Sequence, residues 1–225
     1  MIKVLYIRIS KSLEDESFFS RLQGLVSRES YCEALTFGSK KAALDRLVGE
    51  ALVTFALHEY WGMPRGTYRL SRQKGGKPFV ENRKDVFFNI SHSGEYVVSA
   101  VSNKEIGVDI EKRARAKMKV AKRFFHEQEI QCLNALSGVE QDQLFFNYWA
   151  VKESFLKYIG TGLVRPLNTF SVVFGGEHIS LYEDTRKLLL HVKECVVDVD
   201  YACYVCSEND EIPEMIEVSW QRINK

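Results

Sequence analysis

The chain has 225 residues, 45% hydrophobic and 27% charged, enough to bury a sizeable core as one large domain or two small lobes. A formal net charge of +1 excludes a global field that would draw it to nucleic acid or to a membrane surface. No apolar run approaches the roughly 20 residues that span a bilayer, and the N-terminal run from Met1 to Ile7 is too short for a signal peptide and is followed by charge.

The expectation is a cytoplasmic protein. Its cysteines, Cys32, Cys132, Cys195, Cys203 and Cys206, are odd in number and scattered, which suggests reduced thiols. Cys203 and Cys206 form a lone CxxC in a strand-like stretch, where residues three apart face opposite sides. Packing is the better reading than metal binding.

Residues 2–9 read as a strand rich in β-branched and aromatic side chains. Ser12 to Glu14 start a helix predicted to run to about Arg28. Ser39 then caps a long helix reaching about Trp61, with Leu44, Leu47, Val48, Ala51, Leu52 and Phe55 at helical spacing and Gly62 and Pro64 as its stop. Lys40, Lys41 and Arg46 lie near its start. A solvated basic face is the usual meaning; a phosphate contact is the sharper one, favoured near a helix N-terminus.

A strand near 67–71 leads into the turn signal Gly75-Gly76-Lys77-Pro78. Residues 86–91, 96–102 and 106–111 read as short antiparallel strands in a meander behind the long helix. A basic run follows, with Lys112, Arg113, Arg115, Lys117, Lys119, Lys122 and Arg123 closed by Phe124 and Phe125. It reads as a solvated face or a docking surface for an acidic partner. Helical patterns at 127–136 and 140–158 come next, divided by Ser137 and Gly138. Strands are predicted near 169–174, 179–181, 187–197, 201–206 and 215–218. Each half runs from a long helix into a small sheet. The expected fold is α+β, in two similar lobes covering residues 1–104 and 105–225.

Chemistry concentrates in two stretches. In Gly107-Val108-Asp109-Ile110-Glu111, strand alternation puts Asp109 and Glu111 on one face and Val108 and Ile110 on the other. In the helix from Trp149 to Lys157, Glu153 and Lys157 are one turn apart. Three carboxylates brought together repel unless a cation joins them. Taken singly, Asp109 and Glu111 suit a solvent-facing strand, Glu153 and Lys157 a surface helix pair, and His92 a cap or a core histidine. Together they form a candidate divalent-cation site on phosphate oxygens, with Lys157 and His92 neutralising phosphoryl charge and Glu153 placed to take a hydroxyl proton.

Phe88-Asn89-Ile90-Ser91-His92-Ser93, Gly107 to Glu111, and Trp149-Ala150-Val151-Lys152-Glu153-Ser154-Phe155-Leu156-Lys157 resemble, in that order and spacing, the three signature motifs of the 4′-phosphopantetheinyl transferases, and most closely the two-lobed surfactin-synthetase-activating type. Arg123 to Glu129 fits the segment between the second and third motifs. The resemblance implies two lobes related by a pseudo-twofold with coenzyme A in the cleft between them. It implies transfer of the phosphopantetheine arm to a serine of an apo acyl or peptidyl carrier protein, releasing adenosine 3′,5′-bisphosphate. Asp109, Glu111 and Glu153 would hold Mg²⁺, with Mn²⁺ the other candidate. Glu153 would be the base, with Lys157 and His92 on the pyrophosphate. Lys40, Arg46, Gly76, Lys77, Pro78, Ser91, His92, Asp109, Lys152, Glu153 and Lys157 would bind coenzyme A, and the carrier would dock from Arg113 to Phe125. A monomer suffices for this arrangement.

In one stretch the resemblance thins. The approach to the first long helix, from Ser30 to Thr36, is poor in the basic residues usual there for a 3′-phosphate, and Asp45 stands where a cation is common. Arg28, Lys40, Lys41 and Arg46 remain for that role. Two rival functions stay open beside the transferase: another Mg²⁺-dependent phosphoryl or pyrophosphate enzyme, and a non-catalytic carrier- or nucleotide-binding module of the same fold.

Overall fold

The computed structural model describes residues 1–9, 16–73, 76–176 and 178–223, apart from the side chains of Glu16, Ser17 and Leu163. The predicted helix start at Ser12 to Glu14 and the predicted turn residue Gly75 lie outside the described residues. In chain order the elements are β1 (Ile2–Arg8), α1 (Glu16–Leu22), α2 (Arg28–Ala34), α3 (Lys40–Trp61), β2 (Leu70–Arg72), β3 (Pro78–Val80), β4 (Phe87–Ser93), β5 (Tyr96–Ser102), β6 (Ile106–Lys112), α4 (Met118–Phe124), α5 (Glu127–Asn134), α6 (Gly138–Ile159), β7 (Ser171–Gly175), β8 (His178–Glu183), β9 (Arg186–Lys187), β10 (His191–Glu194), β11 (Tyr201–Ser207), β12 (Glu214–Glu217) and α7 (Trp220–Ile223).

The first helix, predicted to reach about Arg28, stops at Leu22, and a second one, α2, which was not predicted, begins at Arg28. Ser27 caps the second, its side chain accepting from the Ser30 N–H at 3.1 Å. Ser39 caps α3 through the Ala42 N–H, and Gly62, with φ of 61°, closes it. Most of the length of α3 is buried, including Leu44, Leu47, Leu52 and Leu57, so it lies across a sheet rather than on the surface.

That sheet has the order β12-β1-β5-β4. It is not wholly antiparallel, because β12 joins β1 in parallel, Val4 opposite Met215. The last strand and α7 therefore return to the first sheet, and Phe18 packs against Trp220 in a tilted pair with ring centroids 4.1 Å apart. The central strand also departs from the expected meander. β6 leaves β5 and pairs with β11 in a second sheet, β6-β11-β10-β8-β7, with β9 against β8. The second 22-residue helix, α6, packs on β6 and β11.

The two sheets share an apolar layer built from Val4, Val98, Val108, Ile110, Cys203 and Val205. Their edges are joined without a backbone ladder. Along β4, Asn89 Oδ1, Ser91 Oγ and Ser93 Oγ accept the backbone N–H groups of Val108, Ile110 and Lys112 on β6, at 3.2, 3.3 and 3.0 Å. Side chains at every second position of β4 thus satisfy the alternate free N–H groups of β6. Cys203 and Cys206 face opposite layers, as strand geometry requires, and both are buried.

Candidate active site

Two glycines set how closely the helices approach the strands. A Cβ on Gly107 would stand 2.0 Å from the Ser154 carbonyl oxygen and 2.3 Å from the Tyr158 nitrogen, so α6 rests directly on the β6 backbone. On the other side of the junction, Ser99 Oγ donates to the Gly49 carbonyl at 3.0 Å, and a Cβ on Gly49 would stand 2.4 Å from Ile90. The close seat of α6 brings Glu153 and Lys157 over the face of β6 that carries Asp109 and Glu111.

There Lys157 Nζ lies 2.6 Å from Asp109 Oδ1 and donates to Ser91 Oγ at 2.8 Å, while Ser91 Oγ donates to Asp109 Oδ1 at 2.9 Å. Asp109 is 4% exposed, and its Oδ2 is buried with no hydrogen-bond partner. Ser93 Oγ donates to Glu111 Oε2 at 3.1 Å. Burial, followed by the charge of Asp109, pushes Glu111 up to about 7. Burial and Asp109 likewise raise Glu153, with Lys157 opposing. The three acids therefore feel one another and are under-compensated by a single ammonium.

Among the described residues no three His, Cys, Asp or Glu side chains are gathered tightly enough to hold a metal ion as they stand. The donor set is still of the right chemistry for a hard dication: carboxylate oxygens, one of them a buried atom with no partner.

His92 sits one residue along β4 and so on its other face. Its Nδ1 is 3.3 Å from Asp45 Oδ2, and its side chain is 50% exposed. Burial, with Lys157 and Lys41 nearby, keeps its pKa below the ordinary imidazole value despite Asp45. It lines a cavity of about 510 Å³ together with Arg46, Pro78, Phe88 and Ile90. Arg46 Nη2 is held by Glu33 at 2.5 Å, and Lys41 Nζ by buried Asp45 at 2.5 Å; Lys40 and Arg28 are exposed.

Lys77 does not face this cavity with its ammonium. It is buried and donates to Glu105 Oε2 and to the Tyr158 carbonyl, each at 2.5 Å, tying the turn to the last part of α6. The Gly76 carbonyl accepts from Arg72 at 2.8 Å.

Lys152 is a correction to the sequence reading. It is fully buried, 2.8 Å from Glu129 and donating to the Leu167 and Phe170 carbonyls at 2.9 and 2.7 Å, inside the core beneath α6. Adjacent residues on a helix point about 100° apart, so Lys152 cannot share the outlook of Glu153. It is a packing cation, not a coenzyme contact. The sequence reading assigns no role to Asn89, Ser93 or Glu105, and none to Asp45 as a partner of His92 and Lys41. The period-two pattern of Asn89, Ser91 and Ser93 was the available signal.

Family comparisons agree with the motif order. Residues 105–206 match the model described as "4'-phosphopantetheinyl transferase superfamily", and residues 14–104 the model "4'-phosphopantetheinyl transferase, N-terminal". The 4'-phosphopantetheinyl transferase Sfp of Bacillus subtilis (strain 168) is 33% identical over 224 residues, covering 99% of this chain and all of the relative. The transferase gsp of Aneurinibacillus migulanus is 33% identical over 207 residues, 92% of this chain and 86% of the relative. The transferase ffp of Bacillus subtilis is 34% identical over 96% of both. The chain belongs to the 4'-phosphopantetheinyl transferase superfamily. Among the described residues no helix is long and apolar enough to cross a membrane.

Proposed function

We propose that this protein transfers the 4′-phosphopantetheine arm of coenzyme A to a serine hydroxyl of an apo acyl or peptidyl carrier protein. The serine oxygen forms a bond to the β-phosphorus, which bears the pantetheine ester. The bond from that phosphorus to the diphosphate bridge breaks, and adenosine 3′,5′-bisphosphate leaves. The serine proton passes to a carboxylate. Glu153, half-buried with a raised pKa, is the acceptor suited to it.

The observation that carries this reading is Asp109 on β6, 2.6 Å from Lys157 Nζ and with Oδ2 buried and unpartnered, where Glu111 on the same strand face and Glu153 one turn before Lys157 on α6 add two more carboxylates. Those three residues would hold Mg²⁺, or Mn²⁺ as the alternative. The bound dication would neutralise diphosphate charge. Lys157 positions Asp109 and Ser91 and presents a cation to the diphosphate. His92, on the neighbouring cavity, offers an imidazole N–H from the nucleotide side, and Gly76 and Pro78 offer backbone and ring contacts to the base.

We read residues 1–104 and 105–225 as lobes of similar plan about a pseudo-twofold, the tail strand β12 being exchanged back to the first. The exposed basic residues of α4 and the loop before it, from Arg113 to Phe125, suit an acidic carrier. A cytoplasmic monomer is sufficient for the reaction.

The test is mass spectrometry of apo carriers incubated with the protein, coenzyme A and Mg²⁺. The expected result is addition of the phosphopantetheine arm to at least one carrier. No mass gain on fatty-acid, polyketide and peptide carriers, with coenzyme A intact, would reject the assignment.

A further inference from the structure

We propose that the Lys77 ammonium is a positioning group for the transfer step: reaching from the turn between β2 and β3, it fixes the last turn of α6 and so holds Glu153 and Lys157 over β6. This rests on the transferase reading above. The sequence puts Lys77 among the coenzyme contacts, yet its side chain is only 7% exposed and both partners of its ammonium are protein groups of the second half of the chain.

An α-helix leaves its last four carbonyls without partners inside the helix. At the end of α6 the Leu156 carbonyl accepts the Gly160 N–H at 2.9 Å, and Lys77 Nζ supplies the donor for the Tyr158 carbonyl at 2.5 Å. A cation at this end also opposes the partial negative charge of the helix dipole. A lysine has three protons to give, and a second one goes to Glu105 Oε2 at 2.5 Å, next to the start of β6. The stem is seated as well. A Cβ on Gly160 would stand 3.2 Å from Lys77 Cδ, so the glycine that closes the helix, at φ of 73°, leaves the space the stem runs through. The turn that carries Lys77 is itself closed, the Gln73 N–H donating to the Lys77 carbonyl at 2.9 Å.

The contact of α6 with Gly107 sets how close the helix lies to β6. It does not set how the helix is turned or slid along the strand, because a glycine offers no side chain to interlock with the ridges of the helix. That placement falls to the bonds made by the last turn. Lys157 Nζ reaches Asp109 Oδ1 at 2.6 Å, and the next residue, Tyr158, is held through its carbonyl by Lys77. Two adjacent residues of α6 are thus clamped from two directions, one by β6 and one by the turn before β3. Glu153 stands five residues before Tyr158, roughly 7.5 Å along the helix axis. Loss of either clamp lets the carboxylate of Glu153 swing relative to Asp109.

The experiment compares Lys77→Met with the unaltered protein in transfer to one apo carrier, with kcat expressed per folded molecule. Misplacement of a reacting group by a fraction of an ångström to an ångström should lower kcat by about 10- to 100-fold. The KM for coenzyme A should stay within about twofold. The loss should also overlap that of Glu153→Gln: the double variant should lie within about threefold of Glu153→Gln alone, since both act through one carboxylate. A raised KM with kcat unmoved, the mark of a coenzyme contact, overturns the inference. So does an unmoved kcat, and so do losses that multiply, the mark of a general weakening of the fold. If Lys77→Met does not fold, Glu105→Gln, at a side chain 37% exposed, carries the same comparison with an expected kcat loss of about two- to fivefold. Amide hydrogen exchange reads the clamp without turnover: exchange over residues 154–160 should quicken by about tenfold or more in the variant, and unchanged exchange there overturns the inference. Absence of transfer by the unaltered protein defeats the transferase reading instead, and the exchange result still decides the clamp.

Discussion

Lys157 Nζ lies 2.6 Å from Asp109 Oδ1, so an ammonium on a helix supplies the counter-charge for a buried carboxylate on a strand of another layer. The same lysine holds Ser91 at 2.8 Å. One side chain thereby joins the three motif segments, β4, β6 and α6, at a single point. Among the described residues Glu153, one turn earlier on α6, has no such partner and is left as the carboxylate whose pKa burial and Asp109 raise.

Glu153→Gln should reduce transfer by roughly 10²- to 10⁴-fold, the usual worth of a positioned base. The thermal midpoint should hold or rise slightly, since a repelling charge is removed from beside Asp109. Transfer rates and a thermal scan check both halves. Near-normal turnover would take Glu153 out of the mechanism.

His92 gives a pH signature. Its folded pKa lies below the ordinary value of 6.5, so the folded state binds its proton less readily than the unfolded chain does. The associated stability is present above that value and is lost as pH falls through the folded pKa. Donor affinity should move the other way, strengthening in mild acid as the imidazole becomes a cation beside the diphosphate. Calorimetry across this range should show both trends, and His92→Gln should flatten them.

Gly107→Ala should destabilise the fold by about 3 kcal/mol, the upper end of the usual range for overpacking, because the new methyl group meets backbone atoms of α6 rather than a movable side chain. As α6 carries Glu153 and Lys157, turnover in the surviving folded protein should fall as well. Chemical denaturation and kcat together test this; a neutral substitution would mean that α6 is not seated on β6.

Lys152→Met should cost roughly 3–5 kcal/mol by leaving Glu129 charged and buried without its partner. Burial raises Glu129 and lowers Lys152, and their contact opposes both shifts. The KM for coenzyme A should be unchanged, which separates a packing cation from a coenzyme contact.

Charge reversal at two exposed positions of α4, Lys119→Glu with Lys122→Glu, should raise the KM for an acidic carrier by about tenfold and leave that for coenzyme A alone. Added salt should narrow the difference between the variant and the unaltered protein. An equal change in both KM values would remove the docking face from this helix.

The alternation of Asp109 and Glu111 against Val108 and Ile110 was legible because a strand face needs only a period of two. The caps of α3 were legible for the same local reason, Ser39 and Gly62 being chemistry of single residues. What β6 pairs with was not. Its partner β11 is set by register between distant segments, which no local pattern encodes. The short helices α2 and α4, seven residues each, hold too few turns for apolar periodicity to speak. At the site, motif order located Asp109, Glu111, Glu153 and Lys157, but spacing could not reveal that Asp45 and Glu33 had already claimed Lys41 and Arg46.

Lys3 and Glu214 are hydrogen-bonded neighbours across 211 residues of chain. A nascent polypeptide therefore presents β1 with a naked edge throughout most of its synthesis, an invitation to wrong partners. Ribosome-bound intermediates and fragments shortened before residue 214 should lean on chaperones far more than the finished molecule does.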